Sequence, residues 1–293
     1  MIRTLAGILI LAPLALLLPA PAGAPAVVND GHGDFLLVPA GAFRMGDNFG
    51  DGLPRERPVH QVELDAFYIA KYEMTNGEWK KFRDDPGYDD GKFWPSGRVV
   101  PKDQVSYWSN RQNHGGGTPD SDAYPLLGVN WDSATAYCNW LSAKTGKKYR
   151  LPTEAEWEKA ARGTDQRRYP WGNEIDHSYA NFVGAASFDT GQVPGYYDGS
   201  KRGELQTHNG VSPYGAMDMA GNVMEWCQDW YSRDYYSGSP RKNPKGPETG
   251  AYRVLRGGTF FEEAFDLRSY AREAAWPSFQ GHRMIGFRAV REP

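Results

Sequence analysis

The sequence predicts an α+β fold in one domain, with two main helices set among short antiparallel strands and long loops. Three observations carry that expectation: few segments have helix caps, the apolar runs between turn residues are short, and the composition favours irregular chain. Of 293 residues, 34 are glycine, 21 proline, 17 tyrosine and 10 tryptophan, which multiplies turns and leaves little room for long helices. An apolar content of 40% over this length still fills a sizeable core.

The elements follow in chain order. Met1-Ile2-Arg3-Thr4, an apolar run from Leu5 to Leu18, and a small-residue tail through Ala26 read as a secretory signal peptide spanning 1–26, cleaved after Ala22 or Ala26. The competing reading is a membrane anchor, but the apolar core is shorter than the roughly 20 residues a spanning helix needs. Export to the periplasm or the medium follows, with no membrane span after cleavage. Residues 27–33 read as a spacer, and one domain fills 34–293.

Phe35 to Gly46 reads as strand, turn and strand with Pro39 to Gly41 as the turn, and His60 to Ile69 alternates as a half-buried strand. Thr75 with Glu78 forms a capping box that opens a short helix. Residues 84–122 lack periodicity and read as a surface excursion. Asp132 is the expected N-cap of a helix running through Leu141 and ended by Gly146, and Thr153 with Glu156 caps the next. Residues 162–210 read as loop. Short strands are expected around Val223–Gln228, Tyr252–Leu255, Leu267–Ala271 and Ile285–Val290.

Charge narrows the function classes. The net charge is −3 and the 33 basic residues are scattered, so the basic stripe of a nucleic-acid binder is missing. There is no phosphate loop, no dinucleotide fingerprint, no G-x-S-x-G elbow and no H-E-x-x-H. The six histidines, His32, His60, His114, His177, His208 and His282, lie far apart. Only Cys138 and Cys227 are available for a disulfide, and both sit in core-facing phrases, either free or paired. Calcium is the other common staple of loop-rich exported domains, and needs only oxygen ligands.

A series of phrases then stands in fixed order: Val38–Gly46, Tyr72–Asn76, Val129–Ala134 with Tyr137–Trp140, Arg150–Glu158, Tyr169–Gly172, Gly215–Trp226, Arg256–Phe260 and Gly286–Arg288. Together they resemble the sulfatase-modifying-factor, or formylglycine-generating-enzyme-like, family across about residues 34–292. The resemblance implies a C-type-lectin-like domain with little regular structure, stabilised by calcium. It maps one calcium site onto Asp218, the carbonyls of Gly221 and Val223, and Glu225, and a second onto Asn181, Phe182, Asp198 and Ser200. A capped turn without metal is the competing reading of both.

The same resemblance exposes a departure. Formylglycine-generating enzymes hold copper(I) on two thiolates, the first after an R-G-G-S phrase and the second five residues later. Here Glu262 stands at the first position and Leu267 at the second, and no cysteine follows. A carboxylate suits Cu(I) poorly, so copper is not expected. The residues left at that site are Thr259, Glu262 and Arg272 as catalytic candidates, with Glu263, Asp266 and Arg268 beside them. Glu262 is a candidate general base, whereas the acids could also pair with Arg268 and Arg272. Met224 replaces a tryptophan usual in the family.

The resemblance therefore implies an exported maturation or tailoring oxidase acting on a peptide-derived substrate without copper–thiolate chemistry, as in members that mature the pyoverdine chromophore. A non-catalytic module that holds a peptide, a glycan or an exported partner enzyme is the first alternative. Sulfatase activation is the second, and the missing cysteines argue against it.

Overall fold

A computed structural model describes residues 26–102, 104, 121–185, 191–279 and 284–293. All but the last residue of the expected signal peptide, most of 103–120, His114 and His282 lie outside the described residues. Within them, no helix is long and apolar enough to cross a membrane.

The strands come first. In chain order they are β1 (Val27–Asn29), β2 (Asp34–Val38), β3 (Gly41–Met45), β4 (His60–Leu64) and β5 (Phe67–Ala70). Helix α1 (Asn76–Arg83) and helix α2 (Trp131–Thr145) lead to β6 (Tyr149–Arg150), and α3 (Glu154–Arg162) follows. The remainder is strand and loop: β7 (Lys201–Arg202), β8 (Leu205–Gln206), β9 (Met224–Trp230), β10 (Arg253–Arg256), β11 (Glu273–Ala275), β12 (Ile285–Gly286) and β13 (Val290–Arg291).

One antiparallel sheet runs β1-β2-β5-β13-β6 and joins the chain's two ends, since Val290 pairs with both Ile69 and Arg150. A second runs β11-β10-β9-β12, antiparallel except for the β9–β12 pair. Val27–Asn29, expected to be spacer, is an edge strand of the first sheet. The chain from Phe35 to Met45 is not a hairpin: β2 joins the large sheet while β3 pairs with β4. His60 to Ile69 likewise divides at Asp65–Ala66 so that its halves enter different sheets.

Local chemistry explains the helices. Thr75 accepts the Glu78 amide at 3.3 Å, but the Glu78 carboxylate turns to His32 and Lys81 rather than closing the box. Helix α2 is capped by Asn130, whose Oδ1 accepts Ser133 N at 2.8 Å, two residues before the expected Asp132; Asp132 sits in the first turn instead. Gly146 ends it with φ +67°, the left-handed conformation glycine adopts without strain. Thr153 and Glu156 form both halves of their capping box.

Two apolar clusters flank the large sheet. One gathers Trp79, Phe82, Tyr88, Trp94, Tyr137 and Trp140, so part of the expected surface excursion at 84–122 contributes core aromatics. The other packs α3 through Ala155, Trp157, Ala160 and Ala161 against Val38, Phe43, Val62 and Ile69. Cys138 belongs to the first and Cys227 to the second; both are buried free thiols, pushed well above the usual thiol range by desolvation.

Candidate functional site

Two loops meet at the end of the second sheet. The turn before β9 brings Asp218, Gly221 and Asn222 into the left-handed region, at φ +57°, +77° and +60°. The run after β10 does the same at Gly257 and Gly258, φ +99° and +71°. A side chain at Gly258 would meet Leu267 Cδ1 at 2.8 Å, so only glycine lets the run lie against the turn that follows. Gly221 N donates to Gly257 O at 2.8 Å and Phe260 N to Asn222 O at 3.0 Å, which locks the two loops together.

That junction places Thr259 and Glu262. Thr259 is buried; its Oγ1 accepts Phe261 N at 3.2 Å and faces Met284 Sδ at 3.6 Å. Glu262 N donates to Thr259 O, and Glu262 O accepts Val183 N at 3.1 Å. The Glu262 carboxyl is partly buried, and its Oε2 has no hydrogen-bond partner among the described residues. Desolvation and then the charge of Asp266 push it up to about 7. It is therefore a carboxyl that exchanges a proton near neutrality. Leu267, at the second thiol position, is fully buried in an apolar cluster with Tyr169 and Phe182.

Arg272, named with Thr259 and Glu262 as a catalytic candidate, is held elsewhere in the fold. Its Nε and Nη2 donate to Glu154 at 2.6 and 2.9 Å, Nη1 donates to Arg55 O at 2.6 Å, and its guanidinium lies over Tyr236. Arg268 stays on the turn, its Nε donating to Phe265 O, but its guanidinium pairs with Asp51 at 3.0 Å and Glu56 at 3.5 Å. The salt bridges expected between these arginines and Glu262 or Asp266 are replaced by pairs with carboxylates far away in sequence. A strand expected over Leu267–Ala271 is a series of turns, and the β-structure begins at Glu273.

The first expected calcium set surrounds a buried charge cluster. Glu225 accepts Arg288 Nε at 2.7 Å and Nη2 at 2.6 Å, and Trp157 Nε1 at 2.8 Å. Asp218 accepts Gly195 N at 2.6 Å, and Glu73, absent from the sequence-based set, accepts Asn222 Nδ2 at 2.6 Å and Val223 N at 3.1 Å. Glu73 is raised by desolvation and by the charges of Asp218 and Glu225, and Asp218 is raised by desolvation. Two buried carboxyls, Glu73 and Glu225, and the half-buried Asp218 thus share one buried guanidinium, and the raised Glu73 and Asp218 relieve the crowding by holding protons that a divalent cation would displace. The oxygen chemistry at Asp218 fits calcium, although no group of three acidic, histidine or cysteine side chains converges on one point among the described residues.

The second set is arranged differently. Asn181 is buried, its amide on Asn222 Oδ1 at 3.4 Å and its carbonyl accepting Asn222 N, and Phe182 packs beside it in the core. Asp198 is exposed, accepts Ser200 N at 2.9 Å, and pairs with the Arg202 guanidinium at 2.9 Å.

A partly buried carboxyl on a glycine-rich junction, in an α+β scaffold mostly of loops, defines a class of lectin-like domains with an embedded site. The chain belongs to the sulfatase-modifying-factor family: residues 24–293 match the sulfatase-modifying factor enzyme 1-like domain. It is 35% identical to the formylglycine-generating enzyme of Thermomonospora curvata over 88% of this chain and 93% of that one. It is 36% identical to the serine/threonine-protein kinase pkn1 of Chlamydia caviae over 88% of this chain but spans only 38% of that protein's length. The solved structure of PvdO from Pseudomonas aeruginosa superposes with a TM-score of 0.72 at 28% identity, covering 93% of this chain and all of that one. The fold is the C-type-lectin-like α+β fold that the sequence implies.

Proposed function

We propose that this protein is an exported tailoring oxidase acting on a peptide-derived substrate, of the kind that matures the pyoverdine chromophore, with Glu262 taking a proton from the substrate. Glu262 is the observation that carries the reading. It occupies the position of a thiolate in formylglycine-generating enzymes, on a junction built to hold it, with one oxygen unpartnered among the described residues and a proton affinity matched to neutral pH. Thr259 positions that turn through its bond to Phe261 N. The likeness to PvdO over the whole of that chain supports the reading. A structural calcium ion at Asp218, held also by the Gly221 and Val223 carbonyls and by Glu225, would neutralise the cluster behind the site.

The experiment is complementation of a bacterium whose pyoverdine maturation is blocked by loss of PvdO. Wild-type protein restores the fluorescent chromophore, and Glu262→Gln, exported to the same level, does not. A wild-type protein that restores nothing, or a Glu262→Gln variant that restores everything, sinks the proposal.

One observation favours the alternative of a non-catalytic binding module. A cavity of about 950 Å³ is lined by residues that include Trp131, Arg150, Gln228 and Lys245 and does not include the Glu262 turn. A peptide held there without turnover would show saturable binding that Glu262→Gln leaves unchanged.

A further inference from the structure

Between the Glu262 turn and the surface runs an unbroken stack of aromatic rings. Tyr169 lies against Trp171 with ring centroids 5.8 Å apart and planes 10° from parallel. Trp171 lies against Tyr179 at 5.3 Å and 15°, and Tyr179 against His208 at 4.4 Å and 14°. The inner end is buried: Tyr169 is 5% exposed, and its hydroxyl donates to the carbonyl of Ala264, two residues from Glu262. The outer end, His208, is exposed, its Nδ1 2.6 Å from Ser178 Oγ.

Offset stacking of this kind contributes to stability wherever it occurs, and one stacked pair would call for nothing more. Here three near-parallel contacts follow one another and link Tyr169, buried beside the Glu262 turn, to the exposed His208. Indole and phenol are also the side chains that yield a single electron most readily, and tunnelling between rings in contact is fast. We infer that the Tyr169–Trp171–Tyr179–His208 stack conducts single electrons from the Glu262 turn to a one-electron acceptor, of the metal-centre class, at the His208 end. The inference rests on the oxidase reading for its purpose, but not for its geometry.

The step balances as follows. The acceptor gains one electron, and Trp171, the stepping stone, becomes a radical cation. It keeps its proton, because Nε1 donates to the Glu174 carbonyl, which is no base. Tyr169 and Tyr179 bridge the gaps with their phenolic protons in place. An electron from the substrate then restores Trp171, and the substrate's proton passes to Glu262 and on to water. Two passages remove two electrons and two protons from the substrate and reduce two equivalents of acceptor.

Photogenerated ruthenium(III) tris(bipyridine), a one-electron oxidant, tests the path in the purified protein by transient absorption and by mass spectrometry of the oxidised residues. In wild type without substrate a tryptophan radical forms and oxidation reaches Tyr169, the innermost oxidisable ring of the stack. Trp171→Phe keeps a stacked ring but is much harder to oxidise: its Tm stays near wild type while oxidation at Tyr169 falls by an order of magnitude. If Trp171→Phe unfolds the loop, Tyr179→Leu, which removes the bridging ring between Trp171 and His208, makes the same contrast one position further out. Undiminished inner oxidation in a folded variant, or no tryptophan radical in wild type, overturns the path. A positive photo-oxidation result with failed complementation would leave the path standing and remove the oxidase reading alone.

Discussion

Glu262 shows how a single substitution in a familiar phrase can redirect a site. Its carboxyl is raised, so the folded state holds the proton more tightly than the unfolded chain does. Stability from this group is fully present below the unfolded value and is lost as pH rises through about 7. Glu262→Gln should therefore raise the Tm at pH 8 and change it little at pH 5, as read by calorimetry; an equal shift at both values would mean that the carboxyl is not raised. The position of Glu262 can be read from the sequence, because the Arg256-Gly257-Gly258 phrase marks it. Its proton affinity cannot, since that depends on burial and on Asp266. Glu73 and Arg288 lie inside phrases of the family pattern, and a charge between apolar neighbours such as Phe287-Arg288-Ala289 signals a buried ion pair.

At the scale of elements, caps were read more securely than strand partners. A cap is a contact between residues three apart, so Thr153 with Glu156 and Gly146 are written locally. Thr153→Ala should cost about 1 kcal/mol by urea denaturation, because it removes one acceptor from the first turn of α3; no loss would show that tertiary packing alone sets that end. The displacement of the α2 cap from Asp132 to Asn130 reflects two good cap residues competing within one turn; it adds Trp131 and Asp132 to the helix, and the buried Trp131 indole donates to Cys227 O at 2.9 Å. The strand expected at Leu267–Ala271 fails for a different reason. Its alternating pattern serves two arginines that each seek a distant carboxylate, and Ser269 N donates instead to Arg168 O.

Across the whole molecule, buried arginines replace the disulfide and much of the regular structure. Arg256 joins β10 to Glu158 of α3 at 2.5 Å and to the carbonyls of Ala271 and Ser269, Arg272 holds Glu154, and Arg288 ties the last strands to Glu225. Arg288→Met should destabilise by about 3–5 kcal/mol, since it leaves Glu225 in a buried acidic cluster without its partner. A calcium ion at Asp218 would make the Tm of wild type fall on chelation, whereas Asp218→Ala would start lower and respond no further. An unchanged wild-type Tm would return the turn to a metal-free cap. The sequence by itself determined the family, the α+β class, the main helices and the exchange of a thiol for Glu262, because phrases, caps and composition are local. Only the tertiary structure decided which strands share a sheet, that Arg272 anchors Glu154, and that Glu73 completes the acidic cluster, because each depends on residues brought together across scores of positions.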